Sequence, residues 1–406
     1  MRAMEMSEVN VPKLRFREFE GEWVEKRLGD IAKITMGQSP SSSSYNDKNI
    51  GIPLIQGNAD CKNRKTLPRI FTTESTKECN VNDIIMTVRA PVGAVSKSYH
   101  NACIGRGVCA ITSKEKNDFI YQFLIKYEDK WNKYAQGSTF TAVNSKDIAN
   151  LKLNLPQKPE QQKIANFLTS IDQKIEQLTK KEKLLVAYKK GVMQKIFSQE
   201  IRFRDENGEV YGDWVERKLG DVGIYISDGN YGEMYPKSNE MKLSGIPFIR
   251  ANNIKNLTLS WRDMKYIDEK LHNILTSGHL QTNDILVTTR GDIGMLAYVK
   301  QEFNNANINA QICLLRCNEN LNSFYLLQYL ASKEGTKQFK KFQTGSALKQ
   351  LPKSSLKKIK FPYPCLPEQT KIANFLSSID KKIEQVNRQI EESKGFKKGL
   401  LQEMFV

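Results

Sequence analysis

Polar side chains that can form specific hydrogen bonds recur in two matched sets of loops, one set in each half of the chain. Asn, Gln and Arg present several donors and acceptors in a fixed geometry, so they suit reversible binding. The surrounding segments are rich in Ser, Asn, Gly and Pro, which is typical of loops. The first set comprises Gln38, Ser39, Ser41, Tyr45, Gln56, Asn58, Arg89, Ser138 and Thr139. The second set comprises Asn230, Tyr231, Tyr235, Arg250, Asn252, Asn253, Arg290 and Ser346.

Each of these residues also has a structural interpretation. Loops 37–45 and 228–235 have the composition of ordinary turns. A single Asn or Gln after a strand caps a turn about as often as it binds a ligand. Arg89 and Arg290 end matching strands, where a guanidinium group is equally suited to hold loop carbonyls. The sequence leaves these alternatives open.

Residue patterns for catalysis are missing from the sequence. There is no phosphate-binding Gly-rich loop and no Gly-Lys dipeptide at all. No Asn/Asp-Pro-Pro-Tyr motif of an amino-methyltransferase is present, and no acidic cluster of the nuclease type stands out. Gly105-Arg106-Gly107 is interpreted as a turn. These observations favour a binding protein over an enzyme.

Composition narrows the class of ligand. The net charge of +17, from 62 Lys and Arg against 45 Asp and Glu, favours a polyanionic partner over a charge that serves solubility alone. The seven cysteines form no Cys-x-x-Cys pair, so buried free thiols are expected, and the three histidines lack metal-ligand spacing. No apolar stretch is long enough to span a bilayer, and the N-terminus lacks the apolar core of a signal peptide. We therefore predict a cytoplasmic protein.

The loops are positioned by a duplicated frame. Segments 159–177 and 367–385 are identical at sixteen of nineteen positions, with an offset of 208 residues. Two leading segments, 15–30 and 202–221, share the order Arg-Phe-x, Trp-Val-Glu and Leu-Gly-Asp. The bodies between them match only in outline, in a Gly-Ile-Pro segment and an Asn-Asp-Ile segment that ends in Arg. One frame with two different bodies indicates one task performed on two targets, and double-stranded DNA is the commonest ligand with two-fold character.

The closing segments predict two long helices with a coiled-coil seam. Apolar residues recur at alternating spacings of four and three over several heptads. Lys189 and Glu182 interrupt the first seam, and Lys397 and Ser393 interrupt the second. We predict antiparallel pairing within one chain, although packing on the helices' own domains or a homodimeric coiled coil would also fit. Residues expected on the seam or against a partner are Ile164, Phe167, Leu168, Ile171, Ile175, Ile372, Phe375, Leu376, Ile379 and Ile383.

These duplicated segments, taken together, resemble the specificity subunit of type I restriction-modification systems. The resemblance covers nearly the whole chain, from about Pro12 to Phe405. It implies two target recognition domains, each reading one half of a split, asymmetric DNA sequence, and helices that set the number of unread base pairs. It also implies docking of two methyltransferase subunits, which two translocating restriction subunits then join. Catalysis would lie in those partners, which are expected to use S-adenosylmethionine, ATP and Mg²⁺, and this chain would hold no cofactor and no metal.

The expected fold class is α+β, with two mixed α/β target recognition domains held apart by two long antiparallel coiled-coil helices in an internal pseudo-two-fold repeat. The expected ranges are 12–158 for domain 1, 159–199 for the first spacer helix, 200–366 for domain 2 and 367–406 for the second helix. Inserting a helical turn within 178–186 is expected to change the DNA spacer but not the half-sites. Two alternatives remain: a protein scaffold that bridges two partner subunits without direct DNA readout, and a self-sufficient enzyme with disguised motifs.

Overall fold

The computed structural model describes residues 10–113, 117–136, 142–231, 235–346 and 348–406. The chain divides into two compact units, which are described one at a time. Unit 1 comprises residues 1–179 together with 387–406, and unit 2 comprises residues 180–386. The division cuts both long helices, so each unit contains part of each.

Unit 1 is built on two mixed sheets and a small two-stranded ladder. Its strands are β1 (Val24–Arg27), β2 (Ala32–Met36), β3 (Tyr45–Asn46), β4 (Ile52–Ile55), β5 (Cys61–Lys62), β6 (Lys65–Thr66), β7 (Ile70–Thr72), β8 (Glu78–Cys79), β9 (Ile84–Thr87), β10 (Val95–Lys97), β11 (Ala102–Ile104), β12 (Val108–Ser113) and β13 (Lys152–Leu155). Its helices are α1 (Leu28–Ile31), α2 (Asn117–Gln136), α3 (Ser145–Ala149) and the first part of α4 (Lys158–Phe197).

The strands of unit 1 run in the orders β2-β12-β9-β10-β6-β5 and β3-β7-β4-β11-β8, while β1 pairs with β13. Strand β9 lies inside the larger sheet and is buried along its whole length. The main core packs β9 and β12 against α2 and α4, and it includes Trp23, Met86, Phe119 and Leu168. Phe405, near the chain end, belongs to the same core and lies 5.1 Å from the Phe119 ring. The C-terminal segment therefore completes the core of unit 1.

Unit 2 repeats this arrangement with fewer strands. Its strands are β14 (Val215–Lys218), β15 (Tyr225–Asp228), β16 (Ile246–Ile249), β17 (Ile254–Lys255), β18 (Thr258–Leu259), β19 (Lys265–Ile267), β20 (Ile285–Thr288), β21 (Leu296–Tyr298), β22 (Asn307–Ile308), β23 (Ile312–Arg316) and β24 (Lys360–Tyr363). Its helices are α5 (Glu269–Ile274), α6 (Ser323–Ala331), α7 (Lys333–Lys341), α8 (Lys353–Leu356) and the first part of α9 (Leu366–Glu403), together with the end of α4.

The sheet orders in unit 2 mirror those of unit 1. They are β15-β23-β20-β21, β19-β16-β22 and the pairs β14-β24 and β17-β18. Strand β20 is buried along its length, like β9 in unit 1. Its residues pack in one core with Tyr325 and Leu326 of α6 and Leu376 of α9. Both bodies are therefore mixed α/β structures, as the sequence predicts.

The repeated Asn-Asp-Ile segment is a tight turn that starts the central strand. Asn82 and Asn283 adopt positive φ angles of 72° and 74°, a conformation that asparagine tolerates well. The buried Asp83 carboxylate accepts a hydrogen bond from the backbone N–H of Asn80 at 2.8 Å. Asp284 accepts the equivalent bond from Gln281, also at 2.8 Å. The motif is repeated because both bodies need the same turn.

The leading segments attach to the first turn of each long helix through a buried carboxylate. In unit 1, Arg15 donates from Nε and Nη2 to the two oxygens of Glu160, each at 2.8 Å. In unit 2, Arg202 donates to Glu368 at 2.9 and 3.1 Å, and the Trp214 indole donates to the same carboxylate at 2.7 Å. These pairs explain why Arg and Pro-Glu recur together.

The two long helices pack antiparallel, and each unit shows half of the packing. In unit 1, Ile164, Leu168 and Ile171 of α4 share a core with Leu400 and Met404 near the chain end. In unit 2, the late α4 residues Met193 and Ile196 share a core with residues from the start of α9 that include Ile372, Leu376 and Ile379. The predictions of two α/β domains and of paired long helices within one chain are confirmed. The helices begin one residue earlier than expected and end before the expected limits of 199 and 406.

Four predicted seam residues lie at the edge of these cores. Ile175 and Ile383 are half-buried against them. Phe167 packs edge-to-face on Phe16 at 5.8 Å, and Phe375 packs on Phe203 at 5.7 Å. The two phenylalanines on the helices therefore bind the leading segments.

All seven cysteines lie in the described ranges and are free thiols, four of them buried. Burial raises the pKa of the Cys109 and Cys313 thiols to about 12. Within the described ranges, no group of three or more His, Cys, Asp or Glu side chains is arranged to hold a metal ion. In the same part of the chain, no helix has the length and apolar character needed to cross a membrane.

Candidate DNA interface

Three loops of unit 1 converge beside the ends of β2, β4 and β11, and we call them loop cluster 1 (residues 37–39, 56 and 104–107). The backbone N–H of Gln38 donates to the carbonyl of Ile104 at 2.8 Å. The Ser39 hydroxyl accepts from the backbone N–H of Arg106 at 3.1 Å. A side chain at Gly37 would place its Cβ 2.2 Å from the Gly105 carbonyl oxygen, so only glycine permits this approach.

Loop cluster 1 exposes two side chains with strong hydrogen-bonding capacity. Gln38 and Arg106 are exposed, while Ser39 and Gln56 are half-buried beside them. Arg106 is a residue that the sequence interpretation missed, since Gly105-Arg106-Gly107 was assigned only as a turn. It is indeed a turn, and the two glycines carry the arginine into the group of predicted loops. The pattern that could have indicated it is an arginine between two glycines in the short turn that connects two consecutive strands, β11 and β12.

The remaining predicted residues of this loop region differ in accessibility. Ser41 is exposed, and its hydroxyl lies 2.7 Å from that of Ser43. The Tyr45 hydroxyl donates to the Pro40 carbonyl at 3.1 Å, so this side chain braces the loop. Asn58 is exposed at the start of a short 3₁₀ turn after β4. Ser41 and Asn58 are therefore free to face a ligand, whereas Tyr45 holds the loop shape.

Unit 2 forms the equivalent group of loops with different side chains, and we call it loop cluster 2 (residues 228–231, 250, 290 and 308–311). The backbone N–H of Asn309 donates to the Ile249 carbonyl at 2.9 Å. A Cβ at Gly229 would lie 2.4 Å from the carbonyl oxygen of Ile308, so glycine again permits the approach. The Tyr231 hydroxyl donates to the Ala310 carbonyl at 2.9 Å.

A charged group surrounds Tyr231 in loop cluster 2. The Arg290 guanidinium lies over the Tyr231 ring, 5.3 Å from its centroid. Lys353 donates to the Asp228 carboxylate at 3.2 Å. Partial burial, followed by the nearby Asp228 carboxylate, raises the pKa of the Tyr231 hydroxyl, which therefore remains a donor at neutral pH. The contact with the Tyr231 ring holds the guanidinium in place. Because Arg290 is exposed, its hydrogen-bond donors stay accessible.

Two predicted ligand contacts in unit 2 are buried and bonded within the unit. Asn253 is fully buried, and its amide bonds the backbone of Arg250, Ser260 and Arg262 at 3.0 to 3.2 Å. Asn230 is also buried, and its amide bonds Ser277 and Thr276. Every polar atom of each amide is already bonded within the unit, which favours the structural interpretation of both residues over DNA contact.

Other predicted residues of unit 2 occupy intermediate positions. Tyr235 is half-buried against Phe248, with ring centroids 6.0 Å apart. Arg250 is half-buried and donates to the Asp263 carbonyl at 2.5 Å. Asn252 is exposed in the 3₁₀ turn that follows β16. Of these three, Asn252 is the most accessible, and Asn58 occupies the matching turn in unit 1.

Arg89 and Arg290 each pair with a second loop. Arg89 is exposed and forms an isolated bridge with Ala142, which follows residues 137–141. Ser138 and Thr139 lie outside the described residues. Arg290 bridges Gln350, and Gln350 bridges Thr344, so the loop that holds the exposed Ser346 lies beside Arg290. Two predicted ligand contacts of unit 2, Arg290 and Ser346, are therefore neighbours in the structure.

The chain matches one protein family over most of its length. Residues 20–186 and 211–393 each match the type I restriction modification DNA specificity domain. The two matched ranges correspond to the two bodies with their helices. The chain therefore belongs to the family of type I restriction-modification specificity subunits, which are non-catalytic.

Individual relatives agree with this assignment. The chain is 37% identical over 192 residues to a putative type I restriction enzyme MjaX specificity subunit of Methanocaldococcus jannaschii, covering 46% of this chain and 45% of that protein. It is 24% identical over 406 residues to the MjaVIII specificity subunit of the same organism, covering 95% of this chain and 94% of the relative. The chain thus spans about half of the first relative and nearly all of the second.

A solved structure shares the fold. The crystal structure of a type I restriction-modification system S subunit from M. genitalium superposes with a TM-score of 0.64 at 18% sequence identity. The match covers 98% of this chain and 99% of that one. Both bodies and both long helices therefore belong to one known fold.

Proposed function

We propose that this chain binds a bipartite, asymmetric sequence in double-stranded DNA and directs the methyltransferase and restriction subunits of a type I complex to it. Each unit would read one half-site through its loop cluster. The enzymes of the complex would supply S-adenosylmethionine, ATP and Mg²⁺ chemistry, and this chain would act as their guide. Two methyltransferase and two restriction subunits are the partners that we propose, with the bacterial or archaeal chromosome in the cytoplasm as the target.

The proposal rests mainly on the equivalent placement of two different side-chain sets. Both loop clusters follow the same strands and close through the same glycine contact, at Gly37 and at Gly229. Cluster 1 offers Gln38 and Arg106, whereas cluster 2 offers Tyr231 and Arg290. A shared scaffold with different donors is what two unlike half-sites require.

The chemistry of these groups suits base recognition. Arginine pairs in bidentate fashion with guanine, and Asn or Gln pairs with adenine, in the major groove. The net charge of +17 adds attraction to phosphates that does not depend on sequence. Contacts of the first kind would select the half-site, and contacts of the second kind would supply much of the affinity.

A scaffold that bridges protein partners is the second candidate, and exposed apolar residues on the long helices favour it. Leu184 and Tyr188 on α4 are 61% and 53% exposed, and Phe396 on α9 is 58% exposed. Tyr188 and Phe396 are equivalent under the 208-residue offset. The two candidates differ in what happens when a loop cluster is mutated. If the chain were only a scaffold, the DNA sequence bound by the assembled complex would stay the same.

The first prediction is that each loop cluster controls one half-site only. Arg106→Ala is expected to relax base choice in one half of the motif by about 1–3 kcal/mol, the usual discrimination of one bidentate contact. Arg290→Ala is expected to relax the other half by a similar amount. The measurement is selection from a randomised DNA library by the complex reconstituted with its methyltransferase.

Arginines of equal charge outside the clusters provide the controls. Arg17→Ala in unit 1 and Arg217→Ala in unit 2 remove exposed positive charges from the leading segment and from β14. These variants are expected to weaken binding uniformly or not at all, with both half-sites unchanged. If Arg106→Ala and Arg290→Ala altered the same half-site, or neither, independent readout by two units would be refuted.

A further inference from the structure

The lysines that interrupt the two helical seams are buried, and each forms an ion pair with a half-buried aspartate of the opposite long helix. In unit 1, Lys397 Nζ lies 2.7 and 2.8 Å from the two carboxylate oxygens of Asp172. In unit 2, Lys189 Nζ lies 2.6 and 2.8 Å from those of Asp380. The aspartates share the 208-residue offset of the lysines. The interruption of the apolar pattern is therefore itself duplicated.

A glutamine from each body completes the arrangement. Gln122 of α2 donates from Nε2 to Asp172 at 2.9 Å, and Gln328 of α6 donates to Asp380 at 2.9 Å. Both glutamines are fully buried. We call these groups polar node 1 (Gln122, Asp172 and Lys397) and polar node 2 (Gln328, Asp380 and Lys189). Each node joins three elements: a body helix, α4 and α9.

Burying such groups is costly unless they meet the right partner. Burial lowers the pKa of Lys397, and the Asp172 carboxylate opposes that shift, so the ammonium group depends on the carboxylate. A buried ion pair contributes little net stability compared with apolar residues, but its loss leaves an uncompensated charge. Polar residues on a coiled-coil seam are best known for fixing one register at a cost in stability.

The residues one heptad away from each aspartate cannot replace it as the partner of the lysine. A slip of one heptad would place Lys397 opposite Ala165 or Thr179 instead of Asp172. The same slip would place Lys189 opposite Ala373 or Asn387 instead of Asp380. The spacing from Asp172 to Lys189 on α4 equals that from Asp380 to Lys397 on α9, so one antiparallel register satisfies both nodes. Each slipped register breaks both pairs at once.

We propose that the two polar nodes are positioning devices that fix the register of α4 against α9 and attach each body to that register. Where the proposed function also holds, a single register gives a single DNA spacer length. Apolar seam residues alone would accept a heptad slip, because the seam presents similar side chains in each turn. The nodes make the native register the only one in which all four charges are paired.

The test removes both nodes without leaving a lone charge. The variant combines Asp172→Asn, Lys397→Met, Asp380→Asn and Lys189→Met in the full chain. Spin labels at Lys174→Cys and Lys398→Cys, on a Cys365→Ser background, report the register of α4 and α9 within unit 1. We expect one distance in the parent chain and a second, distinct distance in the variant, from molecules in which the helices are shifted along their axes by about 10 Å, the rise of seven helical residues.

Two control variants and a DNA methylation measurement accompany this test. Neutralising only node 1, or the exposed pair Glu391 and Lys394 on α9, is expected to leave one distance. A four-substitution variant that folds with the single parental distance would overturn the proposal. A second outcome would also overturn it: the four-substitution variant fails to fold, while the variant neutralised only at node 1 folds with the parental distance. The nodes would then contribute to folding stability and not to the choice of register. In complexes with the methyltransferase, the variant is expected to modify sites with more than one spacer. An absence of site-specific methylation by the parent would count against the proposed function alone.

Discussion

Arg202→Ala is expected to lower the free energy of unfolding of unit 2 by about 3–5 kcal/mol, the usual cost of breaking a buried ion pair from one side. The Glu368 carboxylate is fully buried and accepts two bonds from Arg202 and one from the Trp214 indole. Without the guanidinium, a buried negative charge would keep only the indole and the start of α9 as support. Hydrogen exchange of strand β20 measures the effect in unit 2 alone.

A matched control separates burial from charge. Lys360 of β24 pairs with Glu216 of β14 at 2.5 Å, but both side chains are more than half exposed. Lys360→Ala is expected to cost less than about 1 kcal/mol, because solvent screens an exposed pair. Equal losses for Arg202→Ala and Lys360→Ala would contradict the view that the leading segment is anchored through the buried Glu368.

A matched insertion of seven residues in both long helices is expected to lengthen the DNA spacer by about three base pairs. The insertion follows Lys180 in α4 and Arg388 in α9, so it falls between Asp172 and Lys189 on one helix and between Asp380 and Lys397 on the other. Seven residues keep the apolar face in phase and add about 10 Å of helix. That length corresponds to about three steps of 3.4 Å along B-DNA. The measurement is the methylated motif produced with the partner methyltransferase.

The expected half-sites stay unchanged in this variant, because the loop clusters are untouched. Seven residues inserted after Glu206, in an exposed turn of the second leading segment, provide the length control and are expected to leave the spacer as it was. A spacer that stayed fixed after the matched helix insertion would contradict the proposal that helix length sets it. The single-helix insertion at 178–186 would break the node register, which makes the paired design the sharper test.

Local patterns in the sequence were sufficient to predict the duplicated frame of the fold. The Asn-Asp-Ile turn, the buried strands after it and the seam of the long helices each depend on neighbouring residues and on a regular period. These features also carried the family resemblance that the matched domains confirm. Duplication strengthened every one of them, since each local pattern occurred twice in the same order.

Features that depend on contacts between residues far apart in the chain could not be predicted from the sequence. Lys189 and Lys397 looked like defects of the seam, because their aspartate partners lie on the other helix. Asn230 is of a residue type that suits binding, but it is buried and hydrogen-bonded to Thr276 and Ser277, which lie 46 and 47 residues further along the chain. The role of Phe405 in the core of unit 1 likewise requires the chain to return over more than 380 residues to Trp23.

Genome-wide mapping of N6-methyladenine, with and without this gene and with its partner methyltransferase active, tests the central claim most directly. The account predicts a split, asymmetric methylated motif that disappears when the gene is deleted and returns when it is restored. It further predicts that Arg106→Ala and Arg290→Ala restore motifs altered in opposite halves. Methylation that persists unchanged without the gene would contradict the proposed role in DNA specificity.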